Sequence, residues 1–470
     1  MPTVTPASIP AAALADVQRQ VYWLDRPGAP PLCPPLTSAA RADLVVVGGG
    51  FTGLWTAIEA KLRDPSCDVV VLEGGRVAHG ASGRNGGFIS ESLTHGLAHG
   101  LANWPDEMPT LLRLGRQNIR EMAAFIDDLG IDAHLTLTGK TVLAVTNHQV
   151  AGLAPSHELH EQMGEQSVLL DRDAVQADVH SPTYRAGLRV RSGSGLLDPV
   201  ALAWGLLRHA LTLGVRVHED TSVVRIDRSQ RGVVANTAHG AVEAKSLVLA
   251  TNAFPPLLRR LRSYILPVHD HVLVSEPLTP QQISAIGWSE SQGLTDAGNQ
   301  FHYYRRTPDD RILFGGYDAI YYFGGRTSPE LEQRESSFQL LASHFFSTFP
   351  QLEDLRFTHR WAGVIDTTSR FTPVFGTAYE GRVAYAVGYT GLGVGASRFG
   401  AQVALDLLSG IETERTALGM VQQRAVPFPP EPMRYPIVQA TRAALVREDI
   451  SGRRGVWLSL LDRFGVGFTS

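Results

Sequence analysis

Gly48, Gly50 and Gly53 stand at GxGxxG spacing between a β-branched run, 43–47, and a helical segment. Glu73 closes a second β-branched run twenty residues after Gly53. Together these residues describe a mononucleotide-binding βαβ unit. The first glycine permits the tight turn, the second lets the backbone approach a pyrophosphate, and the third lets helix and strand close on each other. The helix start then presents unpaired N–H groups and a positive dipole end to phosphate. Glu73, at the end of the second strand, is positioned to accept both ribose hydroxyl hydrogens and disfavours a 2′-phosphate. A few residues on, 78–88 read AHGASGRNGGF. A loop this dense in Gly, Ser, Arg and Asn can set backbone and side-chain donors against a second phosphate, a ribityl chain and a ring edge.

The fingerprint alone does not separate FAD from NAD; the whole stretch does more. DLVVVGGGFTGL followed by LEGGRVAHGASGRNGGF resembles the D-amino acid oxidase-like FAD-dependent oxidoreductases, in particular their amine and amino-acid oxidising members. The resemblance implies noncovalent FAD held by Gly48, Gly50, Gly53, Glu73, Ser82, Arg84, Asn85, Gly86 and Gly87. It further implies that the strand carrying Val223 and Val224 offers backbone to the adenine, with Val224 the contact residue. Asn252, in the TNA that follows SLVLA, falls near the cofactor or simply forms a turn. Gly391, Gly393 and Val394 form the glycine-rich turn and helix start that face the flavin pyrimidine edge, where a helix dipole stabilises the negative charge of the reduced ring. Covalent attachment is not expected: the 360–376 segment, RWAGVIDTTSRFTPVFG, lacks the cysteine that sarcosine oxidase-like members use, and His79 does not match the histidine-containing motif.

That segment also bears on substrate. Glycine oxidase-like relatives carry an arginine two residues after the glycine to pair with a substrate carboxylate; here Gly363 is followed by Val364 and Ile365. Asp366 comes next, and the W-x-G-x-I-D pattern resembles the gamma-glutamylputrescine oxidase-like members. Trp361 and Asp366 are therefore the candidate catalytic residues, Asp366 either attracting an ammonium or holding its loop through backbone hydrogen bonds. Arg305, Arg306 and Arg311 remain as cations that could serve a carboxylate instead. The expected chemistry is hydride loss from a CH–N carbon to flavin N5, giving an imine that water hydrolyses; an amine lone pair assists, so no strong protein base is needed. An amino-acid oxidase or dehydrogenase and a FAD-binding electron-transfer subunit are the rival readings. Oxygen and a quinone are both open as the final acceptor.

Other clusters carry less. His157 and His160 are three apart and miss the i, i+4 spacing of HExxH, while His95 and His99 have that spacing but are interrupted by Gly96 and Gly100. No metal is expected. Cys33 and Cys67 offer no disulfide framework, which fits a cytoplasmic setting. The formal charge of −4 gives no nucleic-acid footprint, and the basic residues are nearly all arginine, the lysines being Lys61, Lys140 and Lys245. No apolar stretch is long enough to span a membrane.

The elements that must position these residues follow from periodicity. In 470 residues one core is insufficient, and two units are expected: a glutathione reductase-like, doubly wound α/β FAD domain in three pieces (43–95, 190–266, 361–425) and an α+β substrate domain with an antiparallel sheet (96–189, 267–360). Extensions at 1–42 and 426–470 flank them, the first wrapping over the FAD domain with Tyr22 and Trp23 as anchors. Helices are predicted over 107–129, 151–180, 200–213, with Asp198 as N-cap and Pro199 at the first turn, 328–349 and 395–408 before Gly410. Strands are predicted at 141–145, 215–218, 222–226, 232–237, 246–250, 267–277, on either side of a turn at Pro308 within 301–318, at 356–363 and at 382–387. Alternation puts Tyr303 and Arg305 on one face of their strand and Tyr304 and Arg306 on the other, one of these facing the pocket.

Overall fold

A computed structural model describes residues 8–467; the first seven and last three residues of the two predicted extensions lie outside the described residues. The strand Ala39–Val47 lies between Ala241–Leu249 and Val69–Leu72, parallel to both. Arg216–His218 adds beyond Val69–Leu72, and Val383–Val387 beyond Ala241–Leu249, again parallel. Parallel strands covered on both faces read as unbroken apolar runs. Here Leu44 and Val46 enter one core with Leu54, Ile58 and Leu206 from the helices Phe51–Arg63 and Pro199–Thr212, while Val45 and Val47 enter another with Ile226 and Val233 of an antiparallel meander. The helix Gly393–Ser409 covers the same face as Phe51–Arg63 and ends at Gly410, whose φ of 68° is the left-handed cap expected there. Asp198 caps Pro199–Thr212 by accepting from the N–H groups of Val200 and Ala201.

The second sheet has eight strands in the order Phe357–Thr367, Leu266–Ser275, Ile312–Gly316, His302–Arg306, Gly293–Asp296, Lys140–Ala144, Ala186–Val190, Ser167–Leu170. It is antiparallel except where Gly293–Asp296 runs parallel to Lys140–Ala144. Phe338, Leu341 and Phe345 of the helix Glu335–Thr348 fill its outer face. The other face looks toward the dinucleotide unit and carries the site.

Three expectations are corrected. The single helix over 151–180 is a helix, Asn147–Gln162, then the strand Ser167–Leu170 and the short helix Arg172–Asp178; Gly164, at a φ of 72°, stops the first, and the apolar Val168-Leu169-Leu170 run joins the sheet edge. The boundary at 361 falls inside one continuous strand, Phe357–Thr367, which pairs along its length with Leu266–Ser275, so residues 361–367 belong to the substrate sheet. The N-terminal segment does not lie over the first unit alone. Trp23 packs with Val272, Leu313 and Trp361 of the second sheet, whereas Cys33 and Leu36 donate backbone N–H groups to Glu219 and Thr221 of the first, so the segment straps the two together.

Candidate active site

Gly48 adopts a φ of 109°, and a Cβ there would lie 2.5 Å from Ala250 O; one at Gly53 would lie 1.8 Å from Gly48 O. Both positions therefore require glycine, one for conformation and one for helix-to-strand approach. Gly50 is the N-cap of Phe51–Arg63 and brings no side chain to the helix end, leaving its N–H groups directed into a cavity of about 2160 Å³. A Cβ at Gly50 would meet Ser82 Oγ at 2.8 Å, and that oxygen accepts from Phe51 N at 2.9 Å, tying the second loop to the helix start. Glu73 lines the same cavity. Its carboxylate accepts from Gly49 N at 2.6 Å and Gly75 N at 2.9 Å, and burial raises its pKa against the pull of those two bonds. A cradle that is glycine-walled, without a side chain at the N-cap and closed by an acid fits a dinucleotide whose ribose is unphosphorylated.

The 81–87 loop is held from within. Asn85 Nδ2 donates to Ala81 O and Ser82 O, and its Oδ1 accepts from Gly87 N at 2.8 Å. Arg84 donates to His79 O and Ala362 O and pairs with Glu332. Ser82, Arg84, Asn85 and Gly86 line the cavity. Gly87 does not: at a φ of 75° it is wedged against Leu197 O, and its role is to turn the chain. Val224 is not in the cavity lining either. It is 64% exposed, and Ser222 and Val223 line the cavity instead, because strand alternation sends Val224 outward. Asn252, with a φ of 50°, lines the cavity and donates weakly to Val364 O at 3.5 Å; Gly391, Gly393 and Val394 line it at the start of Gly393–Ser409.

The two candidate catalytic residues change role. Trp361 is 1% exposed, packs among Trp23, Val200 and Trp204, and does not reach the cavity; its Nε1 donates to Arg84 O at 2.8 Å. It positions the flavin-side loop. Asp366 faces the cavity, but its carboxylate accepts from Gly388 N at 2.5 Å and its carbonyl from Thr390 N, so it holds the turn that delivers Gly391. Burial pushes Asp366 up to about 7 in spite of these bonds. These are backbone hydrogen bonds of the kind the loop-holding alternative describes.

Of the two faces of His302–Arg306, the one with Tyr303 is turned to the cavity. Tyr303 sits over Gly86, where a Cβ would lie 2.6 Å from the ring, and its hydroxyl donates to Asp270 Oδ2 at 2.5 Å. Asp270 also lines the cavity, and burial pushes it up to about 6. Asp270 belongs to no sequence motif. The available signal is an acid between two histidines in an otherwise apolar strand, and alternation turns His269 and His271 to the opposite face, where burial pulls both down to about 4.

None of the three arginines offered for a carboxylate lines the cavity. Arg305 donates to Gly87 O and Leu197 O, Arg306 to Trp288 O and Asp310, and Arg311 to Asp309 and Ser275 O. The histidines have local partners also: His157 meets Ser167, His160 meets Glu165, and His95 and His99 meet the carbonyls of Thr390 and Arg370. No helix among the described residues is long and apolar enough to cross a membrane.

Comparison with known proteins agrees with this geometry. Residues 43–407 match the family described as FAD dependent oxidoreductase. The chain is 31% identical to gamma-glutamylputrescine oxidoreductase of Escherichia coli (strain K12) over 80% of its length and 85% of that protein's. It is 29% identical to the probable oxidoreductase OrdL of Haemophilus influenzae over 82% and 86%. Among solved structures, glycine oxidase from Geobacillus kaustophilus superposes with a TM-score of 0.69 at 22% identity, covering 83% of this chain and all of that one. With the glycine cradle, Glu73 and the 81–87 loop in one cavity, the chain belongs to the FAD-dependent oxidoreductase family and uses FAD as its cofactor.

Proposed function

We propose that this protein oxidises the CH–N bond of an amine, an acylated diamine being the best fit. The observation that carries the reading is the sign of charge beside Tyr303. The ionisable group there is the carboxylate of Asp270, and the three arginines of that sheet region lie outside the cavity lining and are bonded elsewhere. An α-amino acid would bring its own carboxylate toward Asp270 without a guanidinium to meet it. An ammonium is attracted by Asp270, and once Asp270 or water takes a proton from it the neutral nitrogen lone pair is available to assist loss of hydride. FAD, when bound, supplies the hydride acceptor. Tyr303 fixes the Asp270 carboxylate by hydrogen bonding, and Trp361 and Asp366 fix the two loops that frame the ring. The relative named gamma-glutamylputrescine oxidoreductase supports the same choice of substrate class. The site residues, noncovalent attachment of FAD and a cytoplasmic setting, which the free thiols of Cys33 and Cys67 suit, are parts of this reading.

The test is anaerobic reduction of the bound FAD. Acylated diamines and polyamines should bleach the flavin with much higher specificity than glycine, sarcosine or simple D- and L-amino acids. Preferential bleaching by free amino acids would overturn the assignment.

A further inference from the structure

The cavity is much larger than a single small-ligand site, and it continues past Tyr303 along the face of the second sheet. Three neighbouring strands run in register there: Tyr303 is opposite Thr295, and Thr295 is opposite Val142. Lys140 lies two residues before Val142 on the same face, and Lys140, Val142 and Thr295 all line the cavity. With strands about 4.8 Å apart and residues about 3.3 Å apart along a strand, Lys140 stands roughly 12 Å from Tyr303.

Lys140 differs from the other cations of the cavity wall. Arg76, Arg84, Arg442 and Arg454 each meet a carboxylate, and Arg434 donates to two backbone carbonyls. The chain's other lysines are also engaged, Lys61 with carbonyls and Lys245 with Asp43. Among the described residues the half-buried Lys140 ammonium has no hydrogen bond or ion pair. The acid whose charge acts on it, Glu165, is taken by His160 at 2.7 Å and Arg116 at 3.7 Å. Burial lowers the Lys140 pKa, the direction expected of an ammonium without a counter-ion. Placing such a group in a cavity wall is unfavourable unless a ligand completes it.

We infer that Lys140 is the specificity-determining residue for the far end of the substrate, and that it pairs with a carboxylate carried there, four strand spacings along the sheet from Asp270, where the amine is held. The inference rests on the amine reading above and extends it. The substrate class is then a primary amine on a flexible chain whose other terminus is anionic.

The test compares two 1,4-diaminobutane derivatives of equal length on the FAD-loaded enzyme, one acylated with glutaric acid and ending in a free carboxylate, the other ending in the primary amide. The acid should be preferred on the order of 10- to 100-fold in kcat/KM, the range of a hydrogen bond between charged groups. Lys140→Met should abolish that preference through KM, with kcat for the acid nearly unchanged and the amide moving far less, and Lys140→Arg should keep most of it. Equal treatment of acid and amide by the wild type, or equal losses for both in Lys140→Met, would overturn the inference. N-butylglutaramic acid, which has the carboxylate but no amine, separates this from the amine reading. If its perturbation of the flavin spectrum depends on Lys140 while neither derivative is oxidised, the carboxylate site stands and the amine reading fails. If it binds both variants alike, the carboxylate site is refuted whatever is oxidised.

Discussion

Replacing Asp270 by asparagine separates a residue kept for function from one kept for the fold, because the two roles predict opposite changes in stability. Asp270 is pushed up to about 6, from an ordinary value near 4, by its removal from bulk water. The folded protein therefore binds more protons than the unfolded chain between about pH 4 and pH 6, and stability falls as pH rises through that window. Two units at about 1.4 kcal/mol each set a ceiling of about 3 kcal/mol on what the ionised carboxylate costs the fold at pH 7, and water in the cavity lowers it. Asparagine removes the charge and still accepts from the Tyr303 hydroxyl. Asp270→Asn should thus raise the thermal midpoint of the FAD-loaded, substrate-free protein by a few degrees at pH 8 and by little at pH 4.5. The same change should lower kcat/KM for the amine by about 10- to 150-fold, the equivalent of about 1.5–3 kcal/mol for a lost charged hydrogen bond. In the wild type kcat/KM should fall as pH drops through about 6, and in the variant that acid limb should be missing. A variant that melts earlier and oxidises amines normally would show that Asp270 is there to satisfy Tyr303, and the functional argument would fail.

Gly48→Ala should abolish FAD binding, since it adds a Cβ within 2.5 Å of a backbone carbonyl at a left-handed φ; retention of a full complement of FAD by the purified variant would count against the cradle. Glu73→Ala should weaken FAD binding by about 1.5–3 kcal/mol, read as the Kd from flavin fluorescence, because the carboxylate both orders Gly49 and Gly75 and awaits a ribose. Acid precipitation should leave the yellow colour in the supernatant; colour in the pellet would show a covalent link. Asp366→Asn should lower kcat while leaving its pH profile in shape, as a residue that holds the Gly388 turn would, and the appearance or loss of a titration near 7 would instead give Asp366 a direct part.

The glycine fingerprint was legible because its requirements are local. Gly48, Gly53 and Glu73 are fixed by backbone geometry within one βαβ unit, and sequence spacing carries that geometry almost completely. The contacts of Trp361 and Asp366 are not legible in the sequence because their distinguishing feature is what they touch. Trp361 reaches Arg84 O and Asp366 reaches Gly388 N, contacts between segments far apart in the chain that no periodicity reports. The face of the Tyr303 strand was undecidable for a similar reason: alternation separates Tyr303 from Tyr304, but only the neighbouring strands decide which side is open. Asp270 was overlooked since an acid in a strand usually signals a solvated face, and here that face is a cavity. The helix over 151–180 failed at Gly164, where a polar run on both sides hid a change of period.

The division of labour across the chain bears on where selectivity arose. The family match ends at residue 407, yet the cavity wall extends to residues beyond it, including residues of the helices Arg434–Ser451 and Val456–Arg463. These helices are attached mainly by polar contacts: Asp449 accepts from the backbone N–H groups of Asn299 and Gln300, and Arg442 pairs with Asp318. Segments with little apolar burial open at low free-energy cost. The family-matched residues include both the glycine cradle and the sheet that carries Asp270 and Lys140. On the proposed amine reading, Lys140 and the C-terminal helices would meet the portion of a substrate that does not react, and variants in the C-terminal pair should change KM among acylated amines before they change kcat.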